Sequence, residues 1–122
     1  MELKIVNIDK IPHQNIESDL FIGGPVTIQP LMDENTGQDF NMTNVNFQPG
    51  SRNKFHTHTS DQVLIVTSGT GIVATDTNQE IVTIGDLIHI PAGEKHWHGA
   101  TTDSHFSHIS LTLLSSISNF FE

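Results

Sequence analysis

Seven of the eight histidines in this chain lie between His56 and His108, and four of them form two His-x-His pairs. The pairs are His56-Thr57-His58 and His96-Trp97-His98. In an extended strand, residues i and i+2 point to the same face. One strand can therefore close His56 and His58 on a single ion. Each pair follows a glycine-bounded turn, Gly50 before the first and Gly85 to Gly93 before the second. Gln62 follows at a ligand-compatible spacing. A mononuclear metal site is the economical explanation, and it predicts extended chain around these residues.

The rest of the chain reads the same way, as short apolar stretches broken by turn residues. Strands are expected over 26–31, ended by Pro30; over 41–47, stopping at Pro49-Gly50; and over 62–67, closed by Ser68-Gly69-Thr70-Gly71. Residues 71–75 and 80–84 flank Asp76 to Gln79 as a hairpin. A brief strand over 87–90 ends at Pro91-Ala92-Gly93. Over 105–114, Ile109, Leu111 and Leu113 alternate with His108, Ser110 and Thr112. Such a series without a long helix predicts an all-β sandwich or barrel. The first 20 residues show no assignable pattern. Residues 115–122 read as a short helix or a frayed tail, with Phe120 and Phe121 in need of a partner surface.

A chain of 122 residues suits one domain with a modest core. The absence of cysteine excludes disulfides, zinc ribbons, iron–sulfur clusters and thiol nucleophiles. No apolar run of about 18 residues is present, so no transmembrane helix is expected. Met1-Glu2-Leu3-Lys4-Ile5 lacks the basic start and apolar core of a signal peptide, and a cytoplasmic location is the expectation. The formal charge is -9, from 14 acids against five bases. Lys4, Lys10, Arg52, Lys54 and Lys95 are scattered, which argues against nucleic acid or an anionic membrane as partner. Arg52, Lys54 and Lys95 flank the histidine motifs and read as solvated loop charge.

The spacing resembles a known family. Gly50, five residues, His56-x-His58, three residues, Gln62, six residues, Gly69 is similar to the first cupin motif. Gly85, five residues, Pro91-x-Gly93, two residues, His96 is similar to the second. The resemblance implies an all-β cupin barrel, a double-stranded β-helix or jelly roll. It implies a single cupin domain over 1–122, with a core of about 21–114 between terminal extensions. It also implies one divalent transition metal per chain, held by His56, His58, Gln62 and His96. Two positions depart from the family pattern: Gln62 stands where Glu is usual, and Ala100 where Asn is usual. An amide in place of a carboxylate leaves all four ligands neutral. The ion then keeps its full charge and is held less tightly.

His56-Thr57-His58, Gln62-x-Leu64-Ile65-Val66-Thr67-x-Gly69 and Pro91-x-Gly93-Glu94-Lys95-His96-Trp97-His98-Gly99-Ala100 together resemble the manganese-dependent bacterial cupin hydroxynitrile lyases and their uncharacterised relatives. That likeness puts manganese first, with iron, nickel, zinc or cobalt as alternatives, and implies His108 on the last core strand facing the metal. His98 matches a second non-ligand histidine, and Thr43, Val45 and Thr112 match pocket lining. A hydroxynitrile lyase would cleave the C–C bond of a small hydroxy compound, the metal acting as Lewis acid. A neutral imidazole would act as base, His108 first and His98 second. Such a base titrates near ~6.5 unless perturbed. His89 and His105 read as structural or exposed, and Trp97 and Phe55 as pocket wall or core. Two other functions compete: an Fe-dependent cupin dioxygenase, and a non-catalytic cupin that binds a metabolite. The expected partners are a small-molecule substrate and a second copy of the chain, because the Phe-rich tail and the apolar face of the last strand need cover.

Overall fold

The structure, a computed structural model, describes residues 3–121. Met1 and Glu2 of the expected unsignalled N-terminus, and Glu122 of the expected tail, lie outside the described residues. The strands are β1 (Gln14–Asn15), β2 (Phe21–Ile22), β3 (Val26–Met32), β4 (Phe40–Phe47), β5 (Arg52–Asn53) and β6 (His56–His58). They continue as β7 (Gln62–Ala74), β8 (Gln79–Thr83), β9 (Leu87–Ile90), β10 (Trp97–Ala100), β11 (Phe106–Leu113) and β12 (Ser118–Phe120). The all-β expectation holds. Among the described residues the helical content is one 3-10 turn at Ile8–Lys10, and no helix is long and apolar enough to cross a membrane.

Strand β7 organises the fold. Its first half pairs with β9 and β11, and its second half with β8 and β10. One curled sheet results, in the order β1-β3-β4-β11-β7-β10-β5-β2, with β8 and β9 also on β7. The sequence reading ended this strand at Ser68-Gly69. Instead the chain bends there without stopping, and the β11 register slips between Ser107 and His108. Gly69 takes φ +72, and a Cβ added to it would collide with the His105 carbonyl oxygen. Glycine here permits a bend inside the strand rather than its termination. Pro30 likewise does not end β3, which runs on to Met32 through a second register shift.

Directly opposed residues in antiparallel strands share a face. Register therefore places His108, Val45 and Val66 together, and Phe106 with Phe47. These residues face the barrel interior. Val26, Phe47, Val66, Val82, Ala100 and Phe106 form its buried apolar cluster. Phe47 stacks on Phe106 at 5.9 Å between ring centroids.

The N-terminal end, unassigned from sequence, is docked on the sheet, and the C-terminal end differs from its expectation. Residues 14–15 pair with β3, and Gln29 donates from Nε2 to the Ile8 and Ile11 carbonyls at 2.9 Å, which docks the N-terminal segment. Residues 115–121 form neither a helix nor a frayed tail. Ser118–Phe120 make a strand on β6, with Ser118 opposite His58 and Phe120 opposite His56. The reason is local: β6 has a free edge, and the Leu113–Ser116 turn returns the chain to it.

Candidate metal centre

The site is assembled by backbone pairing first. His56 N–H donates to the His96 carbonyl at 2.9 Å, and His96 N–H to the His56 carbonyl at 3.0 Å. Gly93 N–H donates to the His58 carbonyl at 2.9 Å. The two turn motifs are thereby stitched together, although β6 and the approach to β10 are far apart in sequence. The ligand atoms of His56, His58 and His96 all lie within 4.8 Å of one another.

Hydrogen bonds fix how each ring presents itself. His56 Nδ1 is 2.7 Å from the Lys54 carbonyl, and His96 Nδ1 is 2.8 Å from the Glu94 carbonyl. A carbonyl only accepts, so both Nδ1 atoms carry the proton and both Nε2 atoms present a lone pair. His58 Nδ1 lies 2.7 Å from Ser118 Oγ, and its Nε2 is buried with no hydrogen-bond partner among the described residues. Gln62 Nε2 donates to Ser110 Oγ at 2.9 Å, which turns its Oε1 towards His96 Nε2 at 3.0 Å. Two acceptor atoms thus face each other with no proton between them. That arrangement repels unless a cation lies between them. The donor set of three imidazoles and one amide oxygen therefore fits a divalent metal, and its chemistry suits manganese through zinc.

Burial keeps the three rings neutral and ready to ligate. It lowers His56 to about 3, helped by the neighbouring His96, and His58 to about 4 by the same two causes. His96 is lowered by burial as well. A metal binds the deprotonated ring, so these shifts favour loading near neutral pH.

Behind the donors lies a second layer. His98, on β10, is 5.5 Å from His56 and 5.6 Å from His96 between centroids. His108, on β11, is 4.6 Å from His98 and packs on Phe47 and Phe106 at 5.7 and 5.4 Å. His98 therefore stands between His108 and the ligand rings. His98 Nδ1 and His108 Nε2 lie 3.0 Å apart. Asn53 Oδ1 accepts from the His98 backbone N–H at 2.9 Å, which directs its Nδ2 to the His98 ring, 3.2 Å from Nε2 and 3.4 Å from Nδ1. One proton joins His98 Nδ1 and His108 Nε2, carried by one ring and accepted by the other. Burial lowers His108 to about 4 and His98 well below its ordinary value, the second helped by His108. Both rings are neutral at physiological pH.

The remaining residues of interest sort by position. His89 is exposed and paired with Asp61 at 2.8 Å, and His105 is exposed against Ser68 Oγ. Neither joins the donors. Val45 and Thr43 oppose His108 and Ser110 in register, while Thr112 borders a cleft with Phe40, Val63 and Leu111. Arg52 and Lys95 are not simple loop charges. Arg52 lies over Trp97 at 4.5 Å, and Lys95 over Phe55 at 5.0 Å and Phe121 at 5.3 Å. Sequence reasoning missed Asn53 and Ser118 as site residues and gave Ser110 no role. Ser110 was within reach, because it shares the face of His108. Asn53 and Ser118 owe their places to pairing across the chain, which leaves no local signal.

The Cupin domain family matches residues 43–112. The (R)-mandelonitrile lyase of Granulicella tundricola is 36% identical over 89 residues, 72% of this chain and 68% of the relative. The acireductone dioxygenase of Parasynechococcus marenigrum is 43% identical over 53 residues, which is 38% of this chain but 28% of that protein. A cupin-like protein from Thermotoga maritima superposes with a TM-score of 0.81 at 32% identity, covering 88% of this chain and 83% of its own. Barrel, paired motifs and converging imidazoles agree with these matches, and the chain belongs to the cupin family.

Proposed function

We propose that this cupin is a metal-dependent lyase for a small hydroxy or carbonyl compound, cleaving a C–C bond as a hydroxynitrile lyase does. The neutral His98–His108 pair, set directly behind the His56, His58, Gln62 and His96 donors, carries the reading. The likeness to (R)-mandelonitrile lyase supports it. A divalent ion, manganese in first place, would supply Lewis acidity towards a substrate oxygen. The chain's own contribution is a base held neutral by burial. The histidine pair takes the hydroxyl proton of a cyanohydrin. The bond to the nitrile carbon breaks, its electron pair leaves with cyanide, and cyanide takes up the proton. A carbonyl compound and hydrogen cyanide result, with nothing oxidised.

Benzaldehyde release from mandelonitrile, by protein reconstituted with each candidate metal, tests this. Oxygen-independent release supports the lyase reading. The match to acireductone dioxygenase favours a second reading, an iron-dependent dioxygenase. Turnover that requires both iron and oxygen would select it. Tight metabolite binding without turnover would make the chain a sensor instead. The exposed Phe40, Leu87 and Leu113 support a homodimer, and a compact monomer in solution scattering at micromolar concentration would reject it.

A further inference from the structure

The three ligand rings are anchored at Nδ1 in two different ways. His56 and His96 each use a carbonyl two residues away in the chain, Lys54 and Glu94. His58 uses a side chain 60 residues away, the hydroxyl of Ser118. The register explains why. Ser118 lies directly opposite His58 in the β6–β12 ladder, so both side chains leave the ladder on one face. Phe120 is opposite His56 and stacks on its ring at 4.9 Å and 28°. The strand is held along its length: Thr59 N–H donates to the Ile117 carbonyl at 3.0 Å, Ile117 N–H to Thr59 Oγ1 at 2.9 Å, and Phe121 N–H to the Phe55 carbonyl at 2.9 Å. Lys95, next to His96 in the chain, lies over both Phe55 and Phe121.

We infer that the C-terminal strand completes the metal centre and that Ser118 is a positioning residue for the ligand His58. This rests on the metal-site reading given above. An imidazole free to rotate about its χ angles, or free to exchange tautomers, spends part of its time with the wrong nitrogen towards the ion. A hydroxyl that accepts from Nδ1–H holds the ring plane and keeps the Nε2 lone pair available. His56 and His96 receive this constraint from their own backbone neighbours. His58 receives it only when the tail is in place. Ser118 is an exposed residue, and its hydroxyl is the group that meets His58.

The test is metal retention in the full chain, measured by competition with a calibrated chelator using manganese and zinc separately. Partners at this distance from a metal typically change affinity by roughly 10–100-fold when removed. Ser118→Ala should lose that much, and Ser118→Thr, which restores the hydroxyl, should recover most of it. In the metal-free protein, the ring-nitrogen NMR signals of His58 should show Nδ1 protonated in the wild type. In Ser118→Ala they should show a mixture, while His56 and His96 stay unchanged. Wild-type affinity in Ser118→Ala, or equal losses in the Ala and Thr variants, would overturn the role of Ser118 and leave the metal site standing. A wild-type protein that binds no ion would overturn the site itself.

Discussion

His108 Nε2 and His98 Nδ1 lie 3.0 Å apart, and both rings are buried between the aromatic floor of the barrel and the His56 and His96 rings. This pair alters the pH expectation for catalysis. An ordinary imidazole base would switch off near ~6.5. Burial disfavours the charged ring and lowers His108 to about 4, with His98 also lowered. A base works in its neutral form, which persists above the folded-state value. Lyase activity at constant metal content should therefore stay level below pH ~6.5 and fall only on approach to pH 4. An inflection at the ordinary histidine value would mean that a more exposed group is the base.

Removing the pair should separate chemistry from metal binding. His108→Ala should keep the ion and lose roughly 10²–10⁴-fold in rate. His98→Ala should do at least as much damage, because His98 is the ring next to the donors. Metal analysis beside steady-state kinetics decides the matter. Wild-type turnover in both variants would leave the ion as sole catalyst.

Ligand substitutions should act on the ion itself. His58→Ala and His96→Ala should each strip most of the metal from the purified protein. Gln62→Glu should bind it more tightly, since a carboxylate adds charge and the Ser110 hydroxyl can turn to donate. The same added charge should weaken the Lewis acid, so lyase turnover should drop. A large gain in rate would contradict that argument.

Stability of the metal-free protein should depend on pH in a defined direction. His56 is lowered to about 3 and His108 to about 4 from an ordinary value of 6.5. Between those values the unfolded chain binds more protons than the folded one. The stability is complete above pH 6.5 and is lost as pH falls towards 4. Each such histidine adds a slope of about 1.4 kcal/mol per pH unit in that window. Urea unfolding of metal-free protein at several pH values measures it, and an unchanged midpoint from pH 7 to 5 would sink the claim.

Gly69 should tolerate no side chain. Gly69→Ala puts a Cβ against the His105 carbonyl in a left-handed backbone conformation. We expect a loss of several degrees in unfolding temperature, because such strain costs on the order of 1–3 kcal/mol before the clash is counted. An unchanged unfolding temperature would show that the bend relocates freely.

The strands that carry apolar alternation, such as β4 and β11, were legible in the sequence, and so was the grouping of His56, His58 and His96, because glycine, proline and histidine spacing encodes turn and site together. What escaped has a common cause. Gly69 looked like a terminus because glycine marks ends and bends alike, and only the register on β11 distinguishes them. Pro30 was misread for the same reason. Ser118–Phe120 carries too little pattern to announce a strand, and its partner β6 is remote in sequence. Asn53 was invisible as a partner of the His98 ring, since nothing near it in sequence points to that ring.

The reciprocal backbone bonds between His56 and His96 have a thermodynamic consequence. Two of the proposed ligands are registered by the main chain, independently of any ion. Binding then has little chain to immobilise, and the conformational entropy of assembling these two ligands is spent during folding. Calorimetry should accordingly show metal uptake with a small heat-capacity change. Loss of the ion should leave an empty but standing barrel, free to reload or to exchange one metal for another.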